Sequence, residues 1–286
     1  MNTSIRTHFN LARVSNLPTT WTNVLCAFIL VGGFQWPAFI GAIVAVSLFY
    51  ISGMYLNDWR DAAYDREHRP DRPIPTQAIS RRAVLVFALV YFIAALVISL
   101  ALNSQSLFWT LGLIVCITIY DLDHKNNSMS PWVMAACRAL IYPWAATLAG
   151  QEFNEALWLG SVAAYTYTLG LTYIARGPVK AFATKLTFTA LVLAPAVMWL
   201  GLIGAHSLAI GLLSIAAFIV WSVYCLRGWF RTPPRIGFTV GNLIAGFCLL
   251  DLMVMSIAAP ISVAIIVSVL LLFVITLKLQ TFISGT

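Results

Sequence analysis

About ten apolar runs, each close to the length of a bilayer span, succeed one another between residues 19 and 280, and this succession restricts the fold more than any other feature of the chain. A helix needs roughly 20 mainly apolar residues to cross the hydrocarbon core. The runs cover approximately 19–35, 37–58, 82–102, 106–122, 130–149, 155–176, 183–203, 206–227, 237–258 and 261–280. Lipid offers no partner to backbone N–H and C=O groups, so each run is expected to be helical. Gly33 to Pro37, Asn103-Ser104, Gly177-Pro178, Pro233-Pro234 and Pro260 interrupt the pattern and separate one helix from the next. Hydrophobic residues make up 60% of 286 positions and charged residues 9%, a balance that suits lipid and not water as solvent.

The charges fix an expected orientation. With the N-terminus in the cytoplasm and the runs alternating, Arg6 and Arg13, then Arg60 to Arg82, Lys125, Arg176 to Lys185, Arg227 to Arg235 and Lys278 all fall on the cytoplasmic side. Glu152 and Glu155 fall outside. The first eighteen residues have no compact apolar core with a small-residue cleavage site and are expected to stay as a cytoplasmic lead-in within a single domain spanning 1–286. The net charge of +7 is dispersed over several short loops, which argues against nucleic acid and for anionic lipid or a phosphorylated substrate. Cys26, Cys116, Cys137, Cys225 and Cys248 sit in apolar runs without CxxC spacing and are read as small core residues.

The chemistry gathers at the end of the second run, Asn57-Asp58-Trp-Arg-Asp61-Ala-Ala-Tyr-Asp65. Helical positions three, four and seven apart share a side, so Asp58, Asp61 and Asp65 form one stripe with Asn57 at its edge. Like charges so placed repel unless a cation binds them. Hard oxygen ligands that leave positions for water suit Mg²⁺, which bridges to phosphate oxygens, and Asn57, Asp58, Asp61 and Asp65 are the candidate metal ligands. The plainer reading is a solvated helix end whose acids pair with Arg60, Arg66 and Arg69.

The stretch 57–65, followed by Arg72-Pro-Ile-Pro-Thr76, resembles the first aspartate-rich motif of the UbiA-type intramembrane prenyltransferase superfamily. Arg13-Val-Ser-Asn-Leu-Pro-Thr19 with Trp21-Thr-Asn23, Tyr120-Asp121 with His124-Lys125, and Cys137-Arg138-Ala-Leu resemble its EboC-like subgroup. The resemblance implies an all-α membrane protein: a bundle of nine core transmembrane helices, or ten, around a central cavity open to the cytoplasmic face, in a bacterial inner membrane. It also implies Mg²⁺-dependent transfer of a prenyl group from an allylic prenyl diphosphate to a lipophilic or aromatic acceptor, with Asp58, Asp61 and Asp65 as the catalytic acids.

Further candidates follow from the same likeness. Arg72, Lys125, Arg176 and Lys180 would contact the diphosphate, and Tyr120 would donate a hydroxyl. Asp121 would complete the metal shell or take a proton from the acceptor. Arg138, two turns inside its run, needs a partner, either Asp121 or a bound anion. Asn23 would orient the acceptor or make an interhelical hydrogen bond, and Asp251 is expected to be a buried, protonated acid. One departure stands out: the loop after the sixth run, Arg176-Gly-Pro-Val-Lys180, lacks the carboxylates of the superfamily's second aspartate motif. That keeps open a non-catalytic lipid-handling or transport protein on the same fold, with Arg176 and Lys180 as ordinary loop charge. A CDP-alcohol phosphotransferase would need an Asp-Gly dipeptide, and the chain has none.

Overall fold

A computed structural model describes residues 3–123, 127–177, 182–200 and 208–283. Every regular element among them is helical: α1 Thr3–Ala12, α2 Leu17–Leu30, α3 Trp36–His68, α4 Arg81–Leu102, α5 Leu107–Asp123, α6 Ser130–Ala139, α7 Ile141–Leu148, α8 Glu155–Ala175, α9 Phe182–Leu200, α10 Leu208–Trp229, α11 Ile236–Ala258 and α12 Val263–Gln280. Six helical segments among the described residues are long and apolar enough to cross a bilayer, α12 included. The tenth run, left open by the sequence, is therefore a full apolar helix.

Local chemistry sets the helix ends. Pro18, Pro37 and Pro131 open α2, α3 and α6, where a missing N–H costs nothing. Ser80, Asn154 and Ser262 cap α4, α8 and α12 by accepting a hydrogen bond from the backbone N–H three residues on. Past the end of α2 the chain reverses through Gly32 at φ 72°, a conformation that suits a residue without Cβ.

One difference from the sequence reading has a clear cause. The run 130–149 is not one helix but α6 and α7, broken at Leu140. Pro143 has no N–H to offer the Ala139 carbonyl four residues earlier, and the Ser161 hydroxyl of α8 donates to that carbonyl instead, at 3.0 Å. The lead-in is also ordered: α1 packs on α3, with His8 Nδ1 2.6 Å from the Tyr55 hydroxyl and Leu11 fully buried.

The bundle is built around α11, which packs against α2, α8, α10 and α12. Nearly every residue from Ala245 to Ile257 is buried. The outer helices keep large apolar side chains exposed, such as Val86, Leu89, Val90, Ile93 and Val97 on α4 and Leu212, Leu213 and Val220 on α10. In a water-soluble protein such stripes would aggregate; here they are the lipid-facing surface of an integral membrane protein. Helices α8 and α9 approach closely at Gly170, where a Cβ would lie 3.0 Å from the Val192 backbone nitrogen.

Candidate active site

Helix α3 continues well past the apolar run to His68, so the acidic motif projects from the bundle on an unbroken helix. Asp58 and Asp65 are buried, as is Asn57, while Asp61 is half-buried. The seven residues from Asp58 to Asp65 correspond to about 10.5 Å along the helix axis, too far for both to ligate one ion. In agreement, no group of three or more acidic, histidine or cysteine side chains converges on a single metal position among the described residues. Of the candidate ligands Asn57, Asp58, Asp61 and Asp65, the two ends of the stripe, Asp58 and Asp65, therefore do not share one ion.

What faces the motif comes from elsewhere in the chain. The Arg13 guanidinium, on the link between α1 and α2, donates to Asp58 Oδ1 at 3.2 Å, to Asn57 Oδ1 at 3.3 Å and to the Met54 sulfur at 3.4 Å. Its backbone is left-handed, φ 43° and ψ 48°, a conformation that a non-glycine residue adopts at some cost. Asn57 Nδ2 in turn donates to Asp121 Oδ1 of α5 at 3.3 Å. The pair with Arg13 is the salt bridge found among the described residues; of the expected partners Arg60, Arg66 and Arg69, Arg60 donates to the backbone carbonyl of Leu122. Arg13 lies in a motif quoted for its resemblance but was given no role, because the 44 and 45 residues separating it from Asn57 and Asp58 hide the contact.

The rest of the candidates divide into two groups. Arg72, half-buried in the loop after α3, joins the acidic centre: burial lowers its guanidinium pKa and Arg13 lowers it further, against the opposing pull of Asp58 and Asp65. Tyr120 lies close enough to Arg13 to interact electrostatically. Arg176, at the end of α8, donates to the Asn127 carbonyl and, at 2.6 Å, to the Ser130 hydroxyl, tying down the approach to α6. Lys125, His124 and Lys180 lie outside the described residues.

Arg138 and Asn23 belong to a separate interior centre. Arg138 does not reach Asp121; it donates to the Thr19 carbonyl at 2.7 Å and stacks 3.9 Å over the Phe247 ring. Asn23 Nδ2 is 2.8 Å from both carboxylate oxygens of Asp251, and the Tyr142 hydroxyl donates to Asp251 Oδ1 at 2.5 Å. All three are completely buried. An interhelical contact thus engages the Asn23 amide nitrogen.

The acidic centre fits a cation. Asp58 Oδ2 and Asp121 Oδ2 are buried and have no hydrogen-bond donor, and the buried Nε of Arg13 has no acceptor. Unpartnered anionic oxygens beside an unpartnered guanidinium N–H suit a metal ion together with an anion. A cavity of about 620 Å³ lined by Gln105, Trp109, Gln151 and Glu152 opens at the opposite end of the bundle and shares no residue with the motif.

Comparison with known proteins adds the lineage. A digeranylgeranylglyceryl phosphate synthase of Sulfurisphaera tokodaii is 23% identical over 160 residues, covering 54% of this chain. The match spans 56% of that relative, so the chain aligns with about half its length. A solved structure of a digeranylgeranylglyceryl phosphate synthase superposes with a TM-score of 0.65 at 16% identity, covering 89% of this chain and 98% of that one. A UbiA homolog from Archaeoglobus fulgidus, bound to GPP and Mg²⁺, superposes with a TM-score of 0.52 at 14% identity over 96% of this chain and 99% of that one. At such identities the two structures speak for the fold. The profile of the UbiA prenyltransferase family matches residues 16–243, well over half the chain and including both polar centres apart from Arg13 and Asp251, and without singling out the EboC-like subgroup the chain belongs to the UbiA prenyltransferase family.

Proposed function

We propose that this protein transfers a prenyl group from an allylic prenyl diphosphate to a lipophilic acceptor within the bilayer, assisted by Mg²⁺. The observation that carries the reading is the pair of buried, donor-less carboxylate oxygens beside Arg13 at the end of a membrane helix. Bound there, Mg²⁺ would neutralise charge on the departing diphosphate. Asp58, with Asp61 and Asp65 further along α3, holds the acidic side of the site. Arg13 and Arg72 supply positive charge fixed in place before the substrate arrives, which favours a leaving group that gains negative charge. The apolar helices keep water from the reacting carbon.

The likeness to digeranylgeranylglyceryl phosphate synthases points to the hydroxyl of a glycerophosphate-bearing lipid as acceptor, in preference to an aromatic ring. The site end faces the cytoplasm, following the one-sided distribution of basic residues. The missing acidic motif between Arg176 and Lys180 is the one feature favouring a fold-retaining lipid-handling protein. Purified protein in liposomes, given labelled geranyl, farnesyl and geranylgeranyl diphosphates with a glycerophosphate lipid, should form a prenylated product that EDTA abolishes. Release of no diphosphate with any donor and acceptor pair would favour the lipid-handling reading.

A further inference from the structure

The loop after α8 carries no carboxylate, yet a carboxylate reaches the acidic motif from another direction. Asp121, at the end of α5, is 2% exposed and meets α3 at Asn57. Gly53, one turn earlier on α3, leaves room for the approach: a Cβ there would lie 3.0 Å from Ile117 Cγ2 and 3.6 Å from Asp121 Oδ2. Without that side chain α5 closes onto α3 and sets Asp121 beside the motif.

Asn57 links the two acids, bonding Asp121 directly and Asp58 through Arg13. Its carbonyl oxygen accepts from Arg13, which also grips Asp58 Oδ1, and its amide nitrogen donates to Asp121 Oδ1. One oxygen of each carboxylate is thereby used. The other, Oδ2 in each case, is buried with no donor. The Arg13 contact reaches only Oδ1 of Asp58, and burying unpaired carboxylate oxygens is costly.

We propose that Asp121 and Asp58 are opposed ligands of one divalent-cation site, with α5 supplying the carboxylate that the loop after α8 lacks. The proposal rests on the metal-assisted transfer described above. Two carboxylate oxygens leave the remaining positions of an octahedral shell to water and diphosphate oxygens, the arrangement Mg²⁺ prefers. Asn57 then acts as a positioning residue between the acids, which explains why an amide and not a third acid stands there.

The test is Mn²⁺ binding to purified protein with inorganic diphosphate, read by electron paramagnetic resonance and needing no turnover. Asp121→Asn keeps an oxygen for the Asn57 amide and removes only charge. Its Mn²⁺ affinity should fall by more than roughly tenfold, as should that of Asp58→Asn. Asp123→Asn, on the same helix but exposed, should bind as the parent does. Asp121→Cys gives a second reading should the amide variant fail to fold, because a thiolate ligand favours soft Cd²⁺ over Mn²⁺. Reversal of the metal preference supports the site; unchanged preference counts against it. Parent-like Mn²⁺ affinity in Asp121→Asn beside a loss in Asp58→Asn overturns the role of Asp121 and leaves the transfer reaction standing. Absence of Mn²⁺ binding in the parent also overturns the site, and product formation in EDTA would then preserve the transfer alone. Mn²⁺ binding that depends on both aspartates, without turnover of any prenyl diphosphate, supports the site and removes the transfer.

Discussion

Arg13 and Asp58 form an ion pair 3.2 Å long that joins the left-handed link before α2 to the first buried aspartate of α3. Their side chains are only 16% and 5% exposed, so the charges are neither solvated as a surface pair nor sealed in the core. An intermediate energy follows, between the near-zero value of exposed pairs and the several kcal/mol lost when a buried pair is broken.

Arg13→Gln should therefore destabilise the metal-free protein by about 1–3 kcal/mol. Adding Asp58→Asn should recover most of that loss, because the stranded carboxylate is gone. Thermal unfolding in detergent of the parent, both single variants and the double variant measures the coupling. Equal effects of the arginine change in both backgrounds would show that the two residues do not stabilise each other.

The interior centre predicts a graded series. Tyr142→Phe removes one donor from a completely buried carboxylate and should cost about 1–3 kcal/mol. Asp251→Leu strands both the Tyr142 hydroxyl and the Asn23 amide, and should cost more than the tyrosine change. Unfolding midpoints give the order, and a Tyr142→Phe protein as stable as its parent would show that the 2.5 Å contact contributes nothing.

Orientation is tested at two exposed positions at opposite ends of the bundle. A cysteine at Ala78, in the loop between α3 and α4, should react with an impermeant maleimide only from the cytoplasmic side. One at Gln151, between α7 and α8, should react only from the other. Labelling in the reverse sense would invert the proposed topology and move the acidic centre to the opposite face.

Much of this architecture was written in the order of residues, for reasons that are local. Apolar runs of span length separated by proline, glycine and asparagine determine helices and their ends, because backbone groups in lipid are satisfied only within a helix. Spacing of three, four and seven placed Asp58, Asp61 and Asp65 on one side of α3 and marked the acidic motif as chemical. What spacing did not reveal was which acids share a centre. Helical rise parts Asp58 from Asp65 by about 10.5 Å, whereas packing at Gly53 brings Asp121 to Asn57 across 64 residues. Arg138, inside its helix, was expected to need Asp121 or a bound anion as a partner, but packing sets it against the Thr19 carbonyl and the Phe247 ring, in the interior with Asn23 and Asp251. The sequence determined the helices, the lipid-facing surface and the kind of chemistry, since each depends on neighbours along the chain. Only tertiary structure decided the partners of the buried charges, since a pairing energy depends on distance in space and helix packing alone sets that distance.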